Sequence, residues 1–333
     1  MAHPVAPLTL DRLLVVLPAP ELGGAERVAL RQAAGLRARG TRVEVLADRR
    51  LGVASPGLAL PFAHDPHRPA AEARAGQRAL LDALLRRRRW DAALVHCPLP
   101  GEGLGALEAL AAAGVPALAH HHLVRRDLEL PPGERTALAA LPGGFSAVSD
   151  PAAARLGALL GRPVAVLGNA APPPVARVPA ARPYALFLGR LDGRKGADLL
   201  PAVARLAAPL RVVAAGAGPL AGTLAPAEEA GFVADPRPLL AGATALLMLG
   251  EHEGMPLAAL EALAAGCPVV GRPEAMEAWA GAPWWVPVGR DPAAIAAALR
   301  RPLPRPGPGA LAPHAEAPLL DRLEALLLAE RAR

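Results

Sequence analysis

The chain has 333 residues, enough for two domains that each bury a core, and is 53% hydrophobic and 20% charged. Its longest apolar runs fall short of the roughly 20 residues that cross a membrane, which excludes an integral membrane helix. A net charge of +6 permits contact with nucleic acid, anionic lipid or phosphorylated molecules, but 35 of the 36 cations are Arg, so the charge reads as a coding bias rather than a polyanion footprint.

The residues from Met1 to Leu17 lack the pattern of a secretory leader. Cys97 and Cys267 stand far apart, with no Cys or His at zinc-ligand spacing. No disulfide framework and no metal site are expected, and a reducing cytoplasm fits. Along the chain, residues 13–17 form a short continuous apolar run, as in a buried parallel strand. Ala25, Val28, Ala29, Ala33 and Leu36 then recur at helical spacing, and Gly40 stops that helix. Further strands are expected at 42–47, 92–96, 116–120, 145–148 and 164–167, with helices between most of them. Asp150-Pro151 is a helix start, and the run Arg86 to Arg89 is a solvated helix end or a lipid-surface patch. Alternation of this kind predicts a parallel sheet covered on both faces.

Residues 171–183 hold five prolines without periodicity and are expected to link two domains. A second alternating series follows, with strands expected at 184–188, 211–215, 231–234, 243–249 and 268–270. A Pro-Gly segment at 301–313 precedes a last helix with Leu319, Leu320, Leu323, Leu327 and Leu328 on one stripe. The domains expected are therefore 1–170, and 184–333 including the terminal helix. Ligands of such open sheets bind beyond the carboxyl ends of the strands, so the residues after each strand carry the functional reading.

Gly23-Gly24 opens the first helix, where exposed backbone N–H groups can meet a phosphate or sugar, although such a pair also serves a simple turn. After the strand at 184–188 comes Gly189-Arg190-Leu191-Asp192-Gly193-Arg194-Lys195-Gly196. Two cations five residues apart, framed by glycines, suit a diphosphate neutralised without metal. Lys195 is the only lysine of the chain, which implies that Arg does not serve there. Gly216-Ala217-Gly218-Pro219 begins like a dinucleotide fingerprint, but Gly222 comes one position late and no acidic ribose partner follows, so hydride transfer is a poor reading. Gly-Lys-Ser/Thr is absent, which excludes a P-loop. Last comes the string from Glu251 through Glu253-Gly254-Met255-Pro256-Leu257 to Glu261 and Gly266-Cys267-Pro268. It places Glu253 in a loop before a helix with Pro256 in its first turn, and Glu261 in the second turn. Helix N–H groups can hold phosphate there while the carboxylates accept sugar hydroxyls.

Taken in order, these motifs resemble a retaining family-4 glycosyltransferase of the GT-B fold. The similarity runs from Gly-Gly-Ala-Glu-Arg at 23–27, through Val115-Pro116 and the histidines at 120–122, Val148-Ser149 and Asn169, to Gly189-Arg190-Leu191, Lys195-Gly196, Gly216-x-Gly218-Pro219 and the Glu253–Glu261 string. The resemblance implies two doubly wound Rossmann-like domains facing a cleft, a nucleotide-sugar donor as substrate and no cofactor. It implies that Arg190 and Lys195 hold the donor diphosphate, that Glu261 binds the ribose, and that Glu253 with the N–H groups of Gly254 and Met255 holds the transferring sugar. Gly24 would let the first domain approach the phosphate and acceptor. A histidine would lie near the reacting carbon; spacing favours His122 over His120 and His121, which are otherwise structural. Asn169, the only asparagine, fits the pattern but also fits a turn cap.

Leu249-Gly250 stands where the family has Pro-Ser, Met255-Pro256 where it has Phe-Gly, Ala170 where it has Gly, and Gly271-Arg272-Pro273-Glu274 where a Gly pair is expected. The base, sugar and acceptor stay open, and so does peripheral contact with the inner membrane face; nucleic acid is not expected as a partner. The rival readings are an epimerase or phosphorylase on the same architecture and a non-catalytic sugar-nucleotide-binding paralogue.

Overall fold

The computed structural model describes residues 10–60 and 70–333; the expectation for the amino terminus lies partly outside them. The chain divides into two compact units, one of residues up to Gly168 plus Ala317–Arg333 and one of Asn169–Glu316.

The first unit holds a seven-stranded sheet of β1 (Arg12–Leu17), β2 (Arg42–Asp48), β3 (Ala59–Leu60), β4 (Ala92–Cys97), β5 (Ala117–His121), β6 (Gly144–Ala147) and β7 (Ala165–Val166), in spatial order β3-β2-β1-β4-β5-β6-β7. Every pair is parallel. Leu13, Val15 and Leu17 enter one face of the core, and Leu14 and Val16 the other. With both faces covered, the strand reads as an unbroken apolar run instead of an alternating one. Helix Gly24–Ala38 buries Val28, Ala29, Ala33 and Leu36 as its spacing predicts.

The second unit repeats the plan with β8 (Tyr184–Leu188), β9 (Arg211–Ala215), β10 (Glu228–Gly231), β11 (Ala245–Met248), β12 (Val269–Gly271) and β13 (Trp285–Pro287), in order β10-β9-β8-β11-β12-β13. Both sheets are thus doubly wound, with crossover points between β1 and β4 and between β8 and β11, where ligand sites form. Residues 171–183 contain no helix or strand.

Three expectations are corrected. The strand expected at 231–234 lies earlier, at Glu228–Gly231, and its residues are exposed, which removes the apolar signal. The short strands β3 and β13 had no periodicity to reveal them. The terminal helix, Glu316–Arg331, packs with the first unit rather than the second. Leu320, Leu323 and Leu327 join the core that holds Ala29, Ala33 and Leu36. Leu320 leans on Gly35, where a side-chain carbon would come within 2.5 Å of it. Arg39 secures the contact through Asp321 at 2.8 Å and Glu324 at 2.6 Å. Spacing shows a helix's apolar stripe but not which sheet the stripe covers.

The run Arg86 to Arg89 follows the end of helix Ala70–Leu85, and Arg88 pairs with Glu44 at 3.0 Å. Among the described residues no helix is long and apolar enough to cross a membrane.

Candidate functional site

At the second unit's crossover, three loops fuse into one block. The loop after β8 receives the loop after β9, with Leu191 N–H donating to Ala217 O at 2.9 Å and Leu220 N–H to Leu191 O at 2.9 Å. Gly216 and Gly218 are required by this approach, because a side-chain carbon on either would overlap the backbone of Gly189 or Leu191. Gly196 fits the same way beneath Leu249, and Glu251 N–H donates to Arg194 O at 2.9 Å. The glycines are therefore set by backbone contact between neighbouring loops.

Lys195 sits at the end of the short 3-10 turn Gly193–Lys195, whose cap Asp192 accepts from Lys195 N–H at 2.9 Å. Asp192 also pairs with Arg190 at 3.3 Å. The Lys195 ammonium is ion-paired with the Glu253 carboxylate, the lysine side chain 39% exposed and the glutamate 11%. The lysine end of the pair is open to water, so an incoming polyanion can reach the ammonium and compete with the carboxylate for it. Beyond Asp192, Arg290 spans Glu251 at 2.7 Å and Asp198 at 2.8 Å.

Helix Leu257–Ala264 starts at the same edge, and its first N–H groups have no intrahelical acceptor. Pro256 is its cap residue, one position before the first turn where the sequence placed it. Glu261 is half-buried on the second turn. The Met255 loop is held by Asn169, whose Nδ2 donates to Met255 O at 3.0 Å. Asn169 is buried and does not cap its own turn; it ties the segment entering the unit to the helix start.

At the first unit's crossover, Gly23 precedes helix Gly24–Ala38, and its N–H donates to the Glu26 carboxylate at 2.8 Å. Glu26 is buried, and burial raises its pKa above the ordinary carboxylate value. Across the crossover, in the loop after β4, burial pushes Glu102 up to about 7, with the nearby Glu26 charge adding to the shift. His96 and His120 are register partners on β4 and β5, and His122 follows beyond the end of β5. His96 Nδ1 and His122 Nε2 lie 2.9 Å apart, and His120 Nδ1 lies 2.9 Å from Ser146 Oγ. Burial holds all three well below the usual histidine range, so they are neutral at pH 7. His121 points to the opposite face and stacks on Phe145 at 5.9 Å, the structural role weighed for it.

Gly189, Arg190, Lys195, Gly216, Gly218, Glu253, Gly254, Met255, Pro256, Leu257 and Glu261 thus share one edge of the second sheet, while Gly24 and His122 belong to the first unit. Sequence reasoning missed Asp192, Arg290, Glu102 and His96. Gly101-Glu102-Gly103 directly after a strand was the available signal for Glu102. The expectation of no metal site rested on ligand spacing along the chain; among the described residues His96, His120 and His122 bring one ring nitrogen each within 4.8 Å of one another. Register between neighbouring strands joins residues 24 apart in sequence.

Residues 22–173 match the family model described as glycosyltransferase family 4, and residues 182–303 the model described as glycosyl transferases group 1. No curated protein matches the chain significantly. Among solved structures the fold is similar to AviGT4, a glycosyltransferase involved in avilamycin A biosynthesis, at 22% identity and TM-score 0.62, covering 97% of this chain and 98% of that one. It is similar to a glycosyltransferase from Rickettsia africae at 13% identity and TM-score 0.72, covering 98% and 100%. It is also similar to HepE of Anabaena, solved in complex with UDP, at 15% identity and TM-score 0.65, covering 97% and 93%. At these identities the likeness shows the fold, two Rossmann-like domains of the GT-B type.

Proposed function

We propose that this chain, a glycosyltransferase of the GT-B fold, transfers a sugar from a nucleotide-diphosphate donor to an acceptor with retention of configuration. The observation that carries the reading is the Lys195–Glu253 pair, its lysine end open to water, beside Arg190 on the loops at one sheet crossover. HepE, a structural neighbour, is solved with UDP and with UDP-glucose, which supports a donor of this chemical class.

In this reading Arg190 and Lys195 bind the diphosphate and neutralise the charge that grows on it as the sugar leaves, in place of a metal ion. Lys195 exchanges its carboxylate partner for phosphate oxygens. That exchange frees Glu253, an acceptor-only group, to take hydrogen bonds from the sugar hydroxyls beside the N–H groups of Gly254 and Met255. Glu261 accepts from the ribose hydroxyls. Pro256 and Leu257 open the helix whose N–H groups face the donor, and Gly189, Gly216 and Gly218 keep the loops close enough to form the edge. Gly24 and His122 are the first unit's contribution, on the acceptor side.

The test is thermal unfolding against UDP, GDP, ADP and their sugar conjugates. A ligand at 100 times its Kd stabilises the protein by about 2.7 kcal/mol, a shift of a few degrees. A shift confined to one base is expected. No shift with any nucleotide would sink the donor assignment; binding without transfer over a broad acceptor screen would favour a binding paralogue.

A further inference from the structure

Three histidines meet at the carboxyl ends of β4 and β5. His96 and His120 face each other in register, and His122, two residues on, returns to the same side while His121 turns away. The His96 and His122 rings stack at 5.2 Å, and His120 stands edge-on to both at 5.4 and 4.7 Å. One ring nitrogen from each lies within 4.8 Å of the other two.

As hydrogen-bonding groups these rings are poorly served. Each neutral imidazole has one donor and one acceptor nitrogen. His96 Nε2 and His120 Nε2 are buried with no partner among the described residues. A buried polar atom left so costs about 1–3 kcal/mol. Packing alone does not explain three such rings placed together where Leu or Phe would fill the same space.

We infer that His96, His120 and His122 form a site for one divalent metal ion of the zinc class. Three imidazoles and an open fourth position is an established ligand set for such ions. Ligands ~2.0–2.1 Å from a tetrahedral centre stand ~3.4 Å apart, so the side chains need only small adjustments from their present spacing. His120 already shows the accompanying arrangement: Nδ1 is engaged by the buried Ser146 hydroxyl, which fixes the ring and leaves Nε2 as the ligating atom. His122 is half-buried, so the fourth position opens on its side, where water or a substrate oxygen can bind. The site lies wholly in the first unit, goes beyond the proposed function, and does not rest on the diphosphate reading.

The experiment is a titration of the chelator-stripped full-length protein with cobalt(II), followed by zinc. One equivalent of cobalt should give the intense visible absorption of a four-coordinate ion, and zinc should bleach it. His96→Gln and His120→Gln should abolish the band, and Ser146→Ala should weaken binding about 10–100-fold. Circular dichroism reports whether the variants fold; if the histidine variants do not, the wild-type spectrum and the Ser146→Ala titration decide. Absence of the band, a weak six-coordinate spectrum, or affinity undiminished in Ser146→Ala and His120→Gln would overturn the site. None of these readouts depends on glycosyl transfer, so a failed donor screen and a failed metal titration are separate results.

Discussion

At the crossover of the second sheet, Lys195 pairs with Glu253 and Arg190 with Asp192, each cation more open to water than its carboxylate partner. At the same topological place in the first sheet stand neutral histidines and two carboxyls whose protonated forms burial favours. One strand order therefore supports two electrostatic designs. An ion pair whose cation is open to water can be exchanged for a polyanion, whereas a buried uncharged surface suits polyol hydroxyls. The units also differ in how they are completed. The second is built from one continuous stretch, while the first needs a helix from the far end of the chain.

The strongest way to break the contrast is Lys195→Ala. If the second crossover is a diphosphate site, this variant loses transfer by about 10²–10³-fold, the size expected when a preorganised charge partner of the leaving group is removed. The pair is part-buried and Glu253 is 11% exposed, so losing the lysine should lower the melting temperature by a few degrees without unfolding the protein. Initial rates beside a melting curve check both statements. Full activity would remove the lysine from the site, and a collapsed melting curve would make it structural. Lys195→Arg sharpens the result: a partial rate would attribute the single lysine to its compact charge and short reach.

The cluster at the second crossover could be located from the sequence because its signals are local. The residues of each motif follow one strand, and one-dimensional spacing suffices to place them. Lys195 stood out by composition alone. What stayed hidden depends on pairing between distant segments. His96 meets His120 and His122 only through the register of β4 and β5. Glu102 acquires its altered proton affinity only because the chain buries it near Glu26. Asn169 reaches Met255 across 86 residues. The terminal helix displayed its leucine stripe openly, yet the stripe fits either sheet, and small Gly35 and the cation Arg39 decide the matter. The fold class needed only alternation and period; the partners needed the fold.

That helix gives the next test. Leu320 is 6% exposed, and its truncation to Ala should cost about 2–3 kcal/mol, the lower part of the range for buried leucines. The loss should fall on the first unit alone. Hydrogen exchange is expected to quicken in β1, β2 and helix Gly24–Ala38 and stay unchanged in β8 and β9. Faster exchange in both units would show that they do not unfold separately and would dissolve this half of the comparison.

The last test concerns the uncharged character of the first crossover. Glu102 titrates near 7 in the folded chain against an ordinary value of 4.5. Between these values the folded state keeps a proton that the unfolded state has released. Its contribution to stability is therefore complete below about pH 4.5 and is lost as the pH rises through about 7. Glu102→Gln, which stays neutral at every pH, should flatten this part of the profile. The variant should melt above wild type at about pH 8 and close to it at about pH 5, with the difference growing across the interval. An identical slope in both proteins would mean that Glu102 ionises as freely as a surface carboxylate. The first crossover would then carry a negative charge at neutral pH, and its contrast with the second would rest on the histidines alone.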